Sequence, residues 1–134
     1  MAIDYQDWIT KAENDWKVVK LIIKNNYDPE DILCYHCHQV AEKYLKGFLL
    51  YKYQPNIPIH DLLKLVDQIL SIEPGFSIIK TKVKVLNLYA VRPKYPDDYF
   101  APLKSDCDEA IEAAKMVRKF CRQMMKPDKK KSKS

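Results

Sequence analysis

An all-α fold, an antiparallel up-and-down bundle of four main helices plus one short helix, is expected from three observations. Apolar residues recur at spacings of three and four through five segments, the chain of 134 residues holds only two glycines, and short proline-bearing breaks separate the segments. At this length the chain is one domain with a single core. Residues 1–125 form the bundle and 126–134 a disordered tail.

The first helix begins after Asp4, a good N-cap, and carries Trp8, Ala12, Val19, Ile22 and Ile23 on one side. Asn25-Asn26-Tyr27-Asp28 ends it. Asp28-Pro29-Glu30-Asp31 then reads as a start signal, with Asp28 at the cap, proline in the first turn and acids at the positive helix end. The second helix has the cleanest apolar stripe: Leu33, Cys37, Val40, Ala41, Tyr44, Leu45 and Phe48.

Gln54-Pro55-Asn56-Ile57-Pro58 breaks the chain before a short helix from about His60 to Ser71. Glu73-Pro74-Gly75 breaks it again. Ser77 to Val91 is rich in β-branched residues, but its length and its three-to-four spacing favour a helix over a strand. A proline-rich run follows. Ser105-Asp106-Cys107-Asp108 resembles a capping box for the last helix, which rests on Cys107, Ala110, Ile111, Ala114, Val117, Cys121 and Met124.

The net charge of +5 is concentrated at one end. Residues 126–134 hold five lysines and one aspartate, so the body before them is close to neutral. With no apolar residue to offset its ordering entropy, this tail reads as a solubilising segment with at most weak, salt-sensitive polyanion binding. No apolar run is long enough to cross a bilayer, and no export signal is visible at Met1-Ala2-Ile3-Asp4-Tyr5, so a cytoplasmic protein with reduced cysteines is expected.

Cys34-Tyr35-His36-Cys37-His38 matches the c-type haem attachment pattern. Haem is not expected, because that attachment belongs to exported proteins and the motif lies inside a periodic helix where Cys37 falls on the apolar stripe. A metal site on Cys34, Cys37 and His38, at i, i+3 and i+4, needs a fourth ligand from elsewhere, with His60 one candidate. Chance clustering of core cysteines is the plainer account, and no resident metal is expected.

Opposite the apolar stripe, His36, Gln39, Lys43 and Lys46 form one row on the second helix. Two lysines one turn apart suit a phosphate and a glutamine suits a base or sugar, although such a row is more often a solvated face. Two polar islands add to it. His60-Asp61-Leu62 opens the short helix, where His60 and Asp61 either cap or meet a ligand. Arg92 closes the fourth, where a cation suits both the helix end and a phosphate. Tyr95 and Tyr99 can stack on a base or cover the bundle's end, and Asp97 and Asp98 can hold Mg²⁺ with a nucleotide or act as solvated loop acids.

The string Cys37-His38-Gln39-Val40-Ala41-Glu42-Lys43-Tyr44-Leu45-Lys46, followed by His60-Asp61-Leu62 and then by Arg92 with Tyr95-Pro96-Asp97, resembles the HEPN family of helical domains over roughly residues 5–125. Pro93-Lys94 are inserted between the arginine and tyrosine of the family's pattern. The resemblance implies an α-bundle that acts as a homodimer, is associated with nucleotides or RNA, and accompanies a separately encoded nucleotidyltransferase in modules of the toxin–antitoxin kind. Other members are metal-independent ribonucleases with an arginine followed four to six residues later by a histidine. Here His36, His38 and His60 all precede Arg92, the first arginine, so that pair is absent.

Three functions are therefore expected in order. The first is a non-catalytic, nucleotide-associated module whose ligand-binding residues are Gln39, Lys43, Lys46, His60, Asp61, Arg92, Tyr95 and Asp97. The second is a ribonuclease with a rearranged site made of His60 and Arg92. The third is a purely structural dimerisation module.

Overall fold

The computed structural model describes residues 3–52, 59–89 and 101–125. Among them there are five α-helices and no strand: α1 (Tyr5–Lys24), α2 (Glu30–Tyr51), α3 (Leu62–Leu70), α4 (Ser77–Leu86) and α5 (Lys104–Met124). Short 3₁₀ turns at Pro74–Phe76 and Asn87–Tyr89 flank α4. The all-α expectation holds, and so does the order of the helices. The tail 126–134 lies outside the described residues, as do Arg92, Tyr95, Asp97, Asp98 and Tyr99.

Helix α2 is the centre of the molecule. It packs most extensively on α1, then on α5, and also meets α3 and α4. Its predicted stripe is wholly buried, with Leu33, Cys37, Val40, Ala41, Tyr44, Leu45 and Phe48 all at zero exposure. The close approach of α1 depends on Gly47. A Cβ there would stand 3.0 Å from Ile9 Cδ1 and 3.2 Å from Trp8 Cβ, closer than ordinary packing permits. Phe76 plugs one end of the core between Phe48 and Phe120, with ring centroids at 4.5 and 4.7 Å.

The helix ends show where local signals were overridden. Asp4 caps α1 as expected, accepting from the Gln6 amide. Its C-terminus closes through left-handed Asn26 and Tyr27, with the Tyr27 amide donating 3.0 Å to the Ile22 carbonyl in a Schellman-type turn. Asp28 does not cap α2: Pro29 occupies that position and no side chain caps the helix there. Helix α3 starts two residues later than expected, with Asp61 as the cap, its carboxylate accepting from the Leu63 amide at 2.9 Å. Helix α4 stops at Leu86 rather than Val91. The Asn87 side chain accepts from the Leu62 amide and donates to Asp61, both at 3.0 Å, tying the start of α3 to the end of α4. Helix α5 begins at Lys104, one residue before the expected box. Asp106 serves as its third residue, accepting from the Leu103 amide at 2.8 Å.

The strand alternative for α4 falls to burial. Ile79, Val83 and Leu86 are enclosed at helical spacing, while Ile78 is 63% exposed.

Candidate functional site

The polar row of α2 is turned largely onto α1: His36, Gln39 and Lys43 are half-buried and Lys46 is enclosed. The reason is the central position of α2, which packs on α1, α5, α3 and α4. Asp15 of α1 points inward and is held by two members of the row. Its Oδ1 lies 2.8 Å from His36 Nδ1, and its Oδ2 accepts from Lys43 Nζ at 2.5 Å. Burial pushes the Asp15 carboxyl up, but the hydrogen bonds from His36 and Lys43 outweigh that and leave it below the usual aspartate range.

One turn along, Lys46 is almost completely enclosed. Its Nζ donates to Glu42 Oε2 at 2.8 Å and sits 5.3 Å from the centre of the Trp8 ring. The same Glu42 oxygen lies 3.0 Å from His60 Nδ1. The other Glu42 oxygen is 3.8 Å from Nδ1 of the buried His38. Burial holds the His38 imidazole below the usual histidine range, favouring the neutral ring. Gln39 Nε2 donates to His38 Nδ1 at 3.3 Å.

A third polar cluster joins three helices. Glu13 of α1 accepts from Arg118 Nε and Nη2 of α5 at 2.7 and 2.8 Å, and from the Tyr44 hydroxyl of α2 at 2.5 Å. Arg122 adds a contact at 3.7 Å to the same carboxylate. The Arg118 hydrogen bonds hold Glu13 below the usual glutamate range. Burial, with the Glu13 hydrogen bond, pushes the Tyr44 hydroxyl up to about 12.

The residues expected to form one anion-binding edge therefore separate. Lys46 and His60 share one carboxylate, so the structure brings those two together. Lys43 belongs to a different pair, with Asp15. Lys46 is closed to solvent and lies against Trp8, which corrects the expectation of an open lysine row. Gln39 is turned onto His38, and the Asp61 carboxylate is committed to Leu63 and Asn87 as a cap. Arg92, Tyr95 and Asp97 lie outside the described residues.

Of the described residues expected to bind ligand, His60 is the one that reaches outward while anchored inside. Its side chain is 73% exposed and its Nδ1 rests on the buried Glu42. Such an arrangement fixes an imidazole through one nitrogen and presents the other to a ligand. That nitrogen can hold an anion when protonated, or take and give a proton.

Cys34, Cys37 and His38 do not gather. Cys34 Sγ lies 3.9 Å from Cys107 Sγ in the core, whereas His38 meets Gln39 and Glu42. Among the described residues no three His, Cys, Asp or Glu side chains are placed to hold a metal ion. The haem-like motif is thus split between the core and the carboxylate network.

Sequence reasoning missed Glu13, Asp15, Trp8, Tyr44, Arg118 and Arg122 as members of polar clusters. One signal was available: Asp15 lies three residues after Ala12 and four before Val19, on the buried face of α1. An acid on an apolar stripe needs an internal partner.

The HEPN domain model matches residues 5–124 of the chain. A candidate toxin of Methanocaldococcus jannaschii is 25% identical, in an alignment covering 89% of this chain and 86% of that protein. The crystal structure of an archaeal HEPN homologue superposes with a TM-score of 0.71 at 24% identity, covering 93% of this chain and 100% of that one. No described helix is long and apolar enough to cross a membrane.

Proposed function

The chain belongs to the HEPN family, and from that premise we propose that it is the helical member of a toxin–antitoxin-like pair. In this reading it is a cytoplasmic homodimer, associated with a nucleotide, that performs no chemistry of its own and partners a separately encoded nucleotidyltransferase. The toxin name of the Methanocaldococcus relative supports the module type. The absence of any arginine followed by histidine in the sequence supports the non-catalytic role.

The observation that carries the reading is His60, exposed at the surface with its Nδ1 held by the buried Glu42. Lys43 is matched by Asp15 and Lys46 by Glu42, so the basic row acts first as scaffold for α1 and for His60. The nucleotide-facing edge narrows to His60, backed by the Glu42–Lys46 pair, with Arg92, Tyr95 and Asp97 proposed as its companions from sequence.

Two measurements test it. Titration with labelled ATP gives binding that weakens at least tenfold in a His60→Ala/Arg92→Ala variant, and equal affinity in both proteins overturns the nucleotide role. Co-expression with a nucleotidyltransferase encoded next to this chain gives a complex that survives gel filtration; independent elution overturns the partnership.

A second reading, a metal-independent ribonuclease, is favoured by the His60–Glu42 contact. A carboxylate behind an exposed imidazole sets the tautomer and orientation that a general base needs. Incubating the pure protein with total RNA in EDTA separates the two. Cleavage lost in His60→Ala selects the ribonuclease, and intact RNA selects the non-catalytic module.

A further inference from the structure

The exposed face of α5 carries its charges in a self-complementary order. Glu109 and Glu112 lie on the first half, Lys115 and Lys119 on the second, and all four are exposed. None of the four has an ion-pair partner among the described residues. The other charges of this helix are engaged: Asp108 accepts from the Tyr27 hydroxyl at 2.6 Å, Arg118 and Arg122 turn to Glu13, and Lys104 lies over the Tyr27 ring.

The order is a palindrome of opposite signs. The midpoints of the pair Glu112/Lys115 and of the pair Glu109/Lys119 fall within one residue of each other. A second α5 laid antiparallel across the first therefore sets Glu112 against Lys115 of the other copy and Glu109 against its Lys119. Each contact then occurs twice, as a two-fold axis requires. A parallel arrangement puts like charges together.

Apolar surface accompanies the charges. An open groove of about 470 Å³ between α4 and α5 is lined by Ile78, Met116 and Phe120, with Glu112, Lys115 and Lys119 around it. Ile78 is 63% exposed there. An apolar centre inside a charged rim is the ordinary layout of a protein interface. Exposed ion pairs are individually weak, so the pairs set register and orientation while the groove supplies the buried area.

We propose that the outer face of α5 is the homodimer interface, with two copies crossing antiparallel about the segment between Glu112 and Lys115 and covering each other's Ile78–Met116–Phe120 groove. This rests on the homodimer in the proposed function and adds its surface and its geometry. The occupant is a second copy because the complementary charge order is already present in the chain.

Two charge-reversed variants of the full chain test it. Glu109→Lys/Glu112→Lys makes the face basic throughout, and Lys115→Glu/Lys119→Glu makes it acidic throughout. All four positions are exposed, and Glu and Lys have similar helix propensity, so both variants keep the fold, as a circular-dichroism melt checks.

By light scattering the natural chain is expected at twice its 15.8 kDa monomer mass. Each variant alone is expected as a monomer, and an equimolar mixture of the two as a heterodimer. Variants that remain dimeric alone overturn the α5 interface and leave the homodimer standing, as does a natural dimer with a mixture that fails to associate. A monomeric natural chain overturns both.

Discussion

Glu42 Oε2 lies 3.0 Å from His60 Nδ1, across 18 positions of sequence, and the same oxygen accepts from the enclosed Lys46. One buried carboxylate thus neutralises an internal cation and anchors the imidazole that opens onto the surface. The contact makes His60 an extension of the core network rather than a loop residue.

Removing that carboxylate strands a buried ammonium. Glu42→Leu is expected to destabilise the protein by about 3–5 kcal/mol, the cost of breaking a buried pair from one side. The double change Glu42→Leu/Lys46→Met removes both charges and is expected to recover most of the loss. Urea denaturation of the natural protein, the single variants Glu42→Leu and Lys46→Met, and the double variant measures this coupling, and additive losses would show that the two residues do not act as a pair.

Asp15 makes a pH-dependent contribution. Its folded-state pKa lies below the ordinary value of 3.8. The stabilisation is therefore complete above that value and is lost as pH falls through the lowered one. Asp15→Asn is expected to cost about 2–3 kcal/mol at neutral pH, from two charge-assisted hydrogen bonds. The difference from the natural protein shrinks as pH falls below 3.8 and through the lowered folded-state value. Denaturation midpoints from pH 2 to 7 check the prediction, and a pH-independent gap refutes it.

His38 acts in the opposite range. Burial lowers its pKa below 6.5, so the unfolded chain takes up a proton more readily and stability falls as pH drops below that value. His38→Gln is expected to flatten this part of the profile, from about pH 6.5 downward. Thermal melts across that range provide the measurement.

Asn87 links two helices through its side chain. Asn87→Ala removes the acceptor for the Leu62 amide and the donor to Asp61, at an expected cost of about 1–2 kcal/mol. Hydrogen exchange should then quicken at Leu62 and Leu63, while amides in the middle of α2 exchange as before.

The four thiols are enclosed. Burial pushes Cys34, Cys37 and Cys121 well above the usual thiol range, which withholds the reactive thiolate. Iodoacetamide at pH 8 is expected to leave the native protein essentially unmodified and to alkylate all four cysteines in denaturant. Rapid labelling of Cys34 or Cys37 in the native state would contradict the packing described for α2.

Residue spacing was enough for the helices and their inward faces. All seven apolar positions expected on α2 are buried, and the capping role of Asp4 holds, because both depend on neighbours within one or two turns. Helix ends were less legible. Ser77 to Val91 carries a helical pattern throughout, yet α4 stops at Leu86, where Asn87 turns to the start of α3, 25 residues earlier. A local pattern contains no term for such a contact.

The polar residues show the same division at the site. Composition and periodicity established an all-α chain with a lysine-bearing second helix, since those properties are written within single turns. Whether Lys43 and Lys46 met solvent or carboxylate depended on which helix came to lie beside them. Folding set Asp15 against the first, and placed Trp8 over the second, already paired with Glu42 on its own helix. Burial then turned that pairing into a requirement, because a charge removed from water must find its opposite nearby.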